Sequence, residues 1–182
     1  MNEAKEKKMH LQIAEAGPDD VAGIAAVQKE TWLVTYPNEE YGITVEDIQA
    51  KDFDSPERLA KRRESLEKQS QDIHNWIVKD GQKIVGFCIA KKESENGRVQ
   101  AIYVLPEYQG CGVGKMLIQQ AFDWLGIEHD VKVNVAKYNL PSIAFYKKAG
   151  FEEVGDVTDT GVPSLPSGKR IPEIEMIRKI KK

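Results

Sequence analysis

The residues with most chemical potential in this chain form one stretch, Val104-Leu105-Pro106-Glu107-Tyr108-Gln109-Gly110-Cys111-Gly112-Val113-Gly114-Lys115. An apolar, β-branched run (Val99, Ala101, Ile102, Val104) leads into it, and a helical pattern (Met116, Leu117, Ile118, Ala121, Phe122, Leu125) leads out. A turn of alternating glycines between a strand and a helix exposes successive backbone N–H groups at a helix N-terminus. The first-turn donors have no partner there and the helix dipole favours negative charge, so the turn is an anion site suited to phosphate. Two familiar phosphate loops fail by spacing. A Walker loop needs Gly, four residues, then Gly-Lys-Ser/Thr. Here Gln109 stands at the first position and Met116 at the last. A dinucleotide fingerprint, Gly-x-Gly-x-x-Gly, would put its third glycine on Lys115.

The pattern that fits is Gln/Arg-x-x-Gly-x-Gly/Ala, read as Gln109-Gly110-Cys111-Gly112-Val113-Gly114. A second segment follows, Asn139-Leu140-Pro141-Ser142-Ile143-Ala144-Phe145-Tyr146-Lys147-Lys148-Ala149-Gly150-Phe151. Physically it is a short helix. Asn139 serves as N-cap, Pro141 fits the first turn, and Gly150 supplies the left-handed residue past the end. Taken together, in this order and separation, the two segments resemble the two hallmark motifs of the GNAT acetyltransferase superfamily. The resemblance runs in order of elements over residues 9 to 156, with the sharp matches at 104–115 and 139–151.

That resemblance implies acetyl-CoA as cofactor, with its pyrophosphate over the N–H groups of Gln109, Gly110, Cys111, Gly112, Val113 and Gly114. Lys115 either adds a charged contact or is a solvated helix residue. The backbone of Tyr103, Val104 and Leu105 is expected to pair with the pantetheine arm as another strand would, and one N–H there can polarise the thioester oxygen. Asn139 is expected on the pantetheine side, or simply as a cap. Tyr146 is expected to donate a proton to the departing thiolate, which suits a phenol that stays protonated at neutral pH. The reaction implied is direct attack of a primary amine on the acetyl group in a ternary complex. Cys111 has no His neighbour in sequence and is read as structural.

The attacking amine must first lose a proton, and no base is evident. The strand faces near the loop offer Arg98, Gln100, Tyr103, Lys132 and Asn134, none of them a carboxylate. Ordered water, or Glu39, Glu40 or Asp159 from elsewhere, remain open for this role. The Trp32-x-x-Thr35-Tyr36 pattern looks like a subset of the superfamily that includes bacterial polyamine acetyltransferases. Trp32, Tyr36, Glu39 and Glu40 are therefore the acceptor-side candidates, since aromatic faces beside carboxylates can hold an ammonium. For Trp32 alone, anchoring its helix on the core is the simpler expectation. A small-molecule amine is the expected acceptor, with polyamines one option. A protein N-terminus or lysine is the alternative, and a non-catalytic acyl-CoA-binding module is the third.

Composition is consistent with this. A chain of 182 residues, 41% hydrophobic and 30% charged, suits one domain with a real core. Residues 1–8 read as a frayed tail and 9–182 as the domain. No apolar run approaches the ~18 residues of a membrane span, and the start lacks a signal peptide's apolar segment, so a cytoplasmic protein is expected. A net charge of −3 disfavours nucleic-acid binding. Two cysteines and three scattered histidines make neither a disulfide framework nor a metal site.

The positioning elements can be read in outline. Strands are expected over 9–16, 73–79, 83–92, 98–105, 131–136, 151–157 and 173–179. Helices are expected over 18–36, 44–50, 55–71, 114–125 and 139–149, and the Asp80-Gly81 pair signals a hairpin. The order, β-α-α-β-β-β-α-β-α-β-β, is that of a GNAT-like α/β fold: a mixed, mostly antiparallel sheet splaying open beyond the glycine-loop strand, with helices on both faces. An exposed C-terminal strand suggests edge pairing into a homodimer.

Overall fold

A computed structural model describes residues 9–68, 70–126, 128–157 and 165–180. The expected tail and Asp159 lie outside these residues. Seven strands form: β1 (Leu11–Glu15), β2 (Ile73–Asp80), β3 (Lys83–Lys92), β4 (Gly97–Val104), β5 (Val131–Ala136), β6 (Glu152–Asp156) and β7 (Glu173–Arg178). Five helices accompany them: α1 (Val21–Thr35), α2 (Val45–Gln49), α3 (Pro56–Glu67), α4 (Val113–Leu125) and α5 (Leu140–Lys148). The first expected helix is divided, because Pro18–Asp20 form a 3-10 turn ahead of α1. Thr44 caps α2 by accepting from the Asp47 N–H, and Ser55 caps α3 by accepting from the Arg58 N–H. α3 ends at Glu67, short of the expected Gln71. Three helices, α1, α2 and α3, lie between β1 and β2, matching the three expected spans.

The strands lie in the order β1-β2-β3-β4-β5-β7-β6. Every neighbouring pair is antiparallel except β4 and β5. That parallel pairing runs from Gly97↔Val131 to Val99↔Val133 and stops. At the same point β4 carries a bulge. Ala90 faces Val99 and Ile89 faces Ala101, leaving Gln100 without a partner on β3. An extra residue bends its strand and increases local twist. Past Gln100, β4 follows β3 while β5 follows β7, and the sheet splits open.

The C-terminal strand is not an edge. β7 lies between β5 and β6, paired along both sides, and the edge is β6, whose residues are all exposed. A homodimer built on a free C-terminal strand therefore loses its basis. Among the described residues no helix is long and apolar enough to cross a membrane.

The main core lies between sheet and helices, with Ile77, Val85, Val99, Leu117 and Met176 fully buried. A second cluster joins Trp32, Ile43, Ile48, Phe53 and Leu165, tying α1 and α2 to the segment before β7. α4 approaches β3 very closely at Gly86. A Cβ there would come within 2.8 Å of Val113 Cγ1 and 3.0 Å of the Tyr103 carbonyl oxygen. Neither the helix start nor the strand backbone can yield cheaply. We expect Gly86→Ala to cost roughly 1–3 kcal/mol through overpacking, measured as a lower midpoint in chemical denaturation, while a variant with wild-type stability would remove this contact from the account.

Candidate active site

The split between β4 and β5 opens into a cleft of about 740 Å³. Three parts of the chain supply its chemistry.

The first is the glycine turn. Gly112 is the N-cap of α4 and lies in the left-handed region at φ 89°. No atom stands within 4 Å of where its Cβ would be, so backbone torsion, not space, calls for glycine. The Met116 N–H makes the first helical bond, to the Gly112 carbonyl at 3.0 Å. The N–H groups of Gly112, Val113, Gly114 and Lys115 make no backbone hydrogen bond among the described residues. They are the orphan donors of a helix start, and Gly110, Gly112, Gly114 and Lys115 line the cleft. Gln109 lines it too, but its N–H and that of Cys111 are engaged with the carbonyls of Pro106 (3.2 Å) and Tyr108 (3.3 Å). The anion cradle is thus centred on the first turn of α4. Val113 and Leu105 are fully buried core residues, and Leu105 commits its N–H to the Val85 carbonyl at 2.9 Å.

The second part is the free side of β4. Since Leu105 turns its N–H to β3, alternation turns the backbone groups of Ile102 and Val104 toward the gap. The Val104 carbonyl, on that side, accepts from Gln109 Nε2 at 3.2 Å. Such an unpaired edge can take an extended ligand as it would another strand. An acyl-coenzyme A fits these residues. Its diphosphate matches the α4 donors, and its amide-bearing arm matches the exposed edge of β4.

The third part is α5. Asn139 both lines the cleft and caps the helix, its Oδ1 accepting from the Ser142 N–H at 3.2 Å. Tyr146 lines the same cleft, wedged edge-on between the rings of Phe145 (5.1 Å) and Phe151 (5.4 Å). Burial, with smaller contributions from Cys88 and Tyr103, pushes its phenol far above the usual tyrosine range. The hydroxyl stays a proton donor at any physiological pH.

Tyr36, Tyr103 and Tyr138 also line the cleft. The hydroxyls of Tyr36 and Tyr103 are 3.1 Å apart, and the Tyr138 hydroxyl donates to the Tyr36 carbonyl at 2.8 Å. Burial raises all three phenols, that of Tyr138 to about 12. Trp32 is buried in the second core cluster and does not line the cleft, and Lys51 Nζ lies 5.1 Å from its ring centre. Glu39 and Glu40 are exposed in the turn between α1 and α2, also away from the lining. Tyr41 of that turn stacks on Tyr138 at 5.3 Å. Lys169 donates to the Gly42 carbonyl (2.6 Å) and to Asp47 (2.8 Å), tying the segment before β7 to α2. The Asp47 carboxyl is held far below the usual range by hydrogen bonds from Lys169 and Ser167.

One carboxylate here was not foreseen. Glu173 opens β7 opposite Ala136, on the sheet face shared with Asn134. Its Oε2 is buried and has no hydrogen-bond partner. Burial raises its pKa, opposed by a hydrogen bond from Asn134, and its charge raises the pKa of Tyr36, Tyr103 and Tyr138. In sequence the only sign is the alternation Glu173, Ile174, Glu175, Met176, which marks a strand with one polar face. That face can be placed only once β7 is known to lie beside β5.

Residues 17–151 match the model of the acetyltransferase (GNAT) family. The chain belongs to this family. Among its relatives, the peptidyl-lysine N-acetyltransferase YjaB of Escherichia coli is 32% identical over 91 residues, 48% of this chain. The matched stretch spans only 57% of that protein. The [ribosomal protein bS18]-alanine N-acetyltransferase of Haemophilus influenzae is 33% identical over 105 residues, 56% of this chain and 69% of that protein. A likeness in fold alone extends to the PaiA N-acetyltransferase of Thermoplasma acidophilum, whose structure is in complex with coenzyme A. It superposes with a TM-score of 0.72 at 22% identity, over 94% of this chain and 99% of that one.

Replacing Gly112 by Val forces a β-branched residue into the left-handed region, at a cost of about 1–2 kcal/mol or more. We expect acetyl-CoA affinity to fall at least ~10-fold by calorimetry as the α4 donors lose alignment. Unchanged affinity would dissociate the glycine turn from cofactor binding.

Proposed function

We propose that this chain transfers the acetyl group of acetyl-CoA to a primary alkylamine by direct attack in a ternary complex. The observation that carries the reading is convergence. The orphan donors of α4, the unpaired edge of β4 and the buried Tyr146 hydroxyl open onto a single cleft. When bound, the thioester supplies an acyl carbon on which the amine forms its new bond as the carbon–sulfur bond breaks. The α4 first turn holds the diphosphate, and the β4 edge aligns the arm. A backbone N–H on that edge stabilises charge on the acyl oxygen, and Tyr146 gives its proton to the departing sulfur.

For the acceptor, we favour a compact small-molecule amine, of which polyamines are one kind. The segments beside the cleft tyrosines are tied together through Lys169, Asp47 and the Tyr41–Tyr138 stack, which supports a preformed site of small-molecule size. The competing reading, a peptide lysine, draws on the peptidyl-lysine relative. A lysine ε-amine is also a primary alkylamine and asks the same of the catalytic groups.

A thiol-release assay with acetyl-CoA over polyamines, aminoglycosides, amino acids and lysine peptides separates these readings. We expect turnover of a free amine to exceed that of any peptide. A lysine peptide turning over fastest would transfer the acceptor to protein, and silence across the panel with acetyl-CoA still bound would favour a non-catalytic acyl-CoA-binding module. With the best amine, Tyr146→Phe should lower kcat by about 10²-fold, the low end for loss of a general acid, while the acetyl-CoA Kd stays within a few-fold. An unchanged kcat would take Tyr146 out of the mechanism.

A further inference from the structure

We infer that Glu173 takes up the proton of the acceptor amine through an intervening tyrosine hydroxyl or water, making it the base of the reaction, and that its charge favours a cationic acceptor. The inference rests on the acetyl-transfer reading above. Its starting point is an anomaly of solvation. A carboxylate withdrawn from water is normally matched by a cation or by several donors, because an uncompensated one costs several kcal/mol. The neighbouring Glu175, one step along the same face of β7, follows that rule, with Lys132 at 3.2 Å and Arg98 at 3.8 Å. Glu173 does not. One of its oxygens is buried without a partner, and among the described residues it forms no ion pair within 4.0 Å.

The surroundings say what is missing. Glu173 shares a sheet face with Asn134, and its charge acts on Tyr36, Tyr103 and Tyr138. All four of these side chains line the cleft, whereas Glu173 does not. Its field is thus felt among the cleft tyrosines, and a proton reaches it through a tyrosine hydroxyl or a water. The tyrosines are all held neutral by burial, so Glu173 is the one anion of this group. A partly buried negative charge acting on three neutral aromatic rings is complementary to one ammonium.

The proton balance is simple. The ammonium loses one proton toward the Glu173 carboxylate, leaving a neutral amine with a free lone pair. The nitrogen bonds to the acyl carbon, its second proton departs to water, and the carbon–sulfur bond breaks with the electron pair going to sulfur. Tyr146 protonates that sulfur and is recharged from solvent, while Glu173 returns its proton to solvent. One proton is released for each amide made. Burial favours this cycle, because a carboxyl with a raised pKa is a better proton acceptor than an ordinary one.

The test is Glu173→Gln, which keeps shape and removes charge. Since the folded-state pKa of Glu173 is raised, its carboxylate weighs against folding once pH rises above the unfolded value of about 4.3. Glu173→Gln should therefore melt at or above the wild-type temperature at pH 7 and bind acetyl-CoA within a few-fold of wild type. With the best amine, kcat/KM at pH 7 should fall about 10²-fold. The pH profile should lose its low-pH limb and climb instead toward the amine's own pKa, about 10.4 for an alkylamine. Glu175→Gln should leave rate and profile unchanged. In the wild type, a ¹³C carboxyl titration should place Glu173 above the ordinary carboxylate range. A wild-type profile in Glu173→Gln, or a Glu173 midpoint near 4.3, overturns the assignment even though acetyl transfer stands. A wild-type protein that acetylates no amine overturns both.

Discussion

The structure depends on a parallel strand pair that ends early. β4 and β5 share only the pairs from Gly97↔Val131 to Val99↔Val133 before they part at the Gln100 bulge. Buried backbone groups must find partners, so a sheet cannot open in its middle unless something else can meet the exposed edge. Here that edge faces a cleft, with the α4 donors at one end and Tyr146 alongside. Three sets of unsatisfied or strongly perturbed groups thus lie around one opening. Close packing at Gly86 fixes the height of α4 above β3, and through it the position of the donors relative to the edge.

Charge around the cleft is uneven. The glycine turn is electropositive without depending on a cationic side chain, since orphan N–H groups provide the potential. Phenols that burial keeps neutral line the cleft as well. Glu173, one of whose oxygens is buried and unpartnered among the described residues, acts on all three of them from outside the lining. Keeping a carboxylate in this state lowers stability, as functional sites commonly do.

Legibility in the sequence followed locality. The glycine turn, the start of α4 and the capped helix α5 depend on residues within one or two turns of each other, and all three were readable. The helix starts at Thr44, Ser55 and Asn139 were likewise marked by their own side chains. What was not readable depended on register. Leu105 belongs to the glycine-loop motif, yet the side of the strand commits its N–H to β3, away from the gap. Glu39 and Glu40 follow Tyr36 closely in sequence, yet the turn after α1 carries them to the surface. Glu173 lies 70 residues from Tyr103 in sequence, and only the insertion of β7 between β5 and β6 brings the two into one electrostatic neighbourhood. The same insertion removes the free C-terminal edge that the order of elements suggested.

That insertion also bears on how the protein is made. The strands from β1 to β4 form a consecutive antiparallel meander that can zip up as the chain emerges, with α4 closing over it. β5 then has its three-residue foothold on β4, and β6 has no partner at all until residues 173–178 appear. A ribosome-bound chain stopped short of β7 would carry a formed glycine turn but not Glu173. The step that completes the sheet is also the step that delivers Glu173, so the side chain assigned as base reaches its place last.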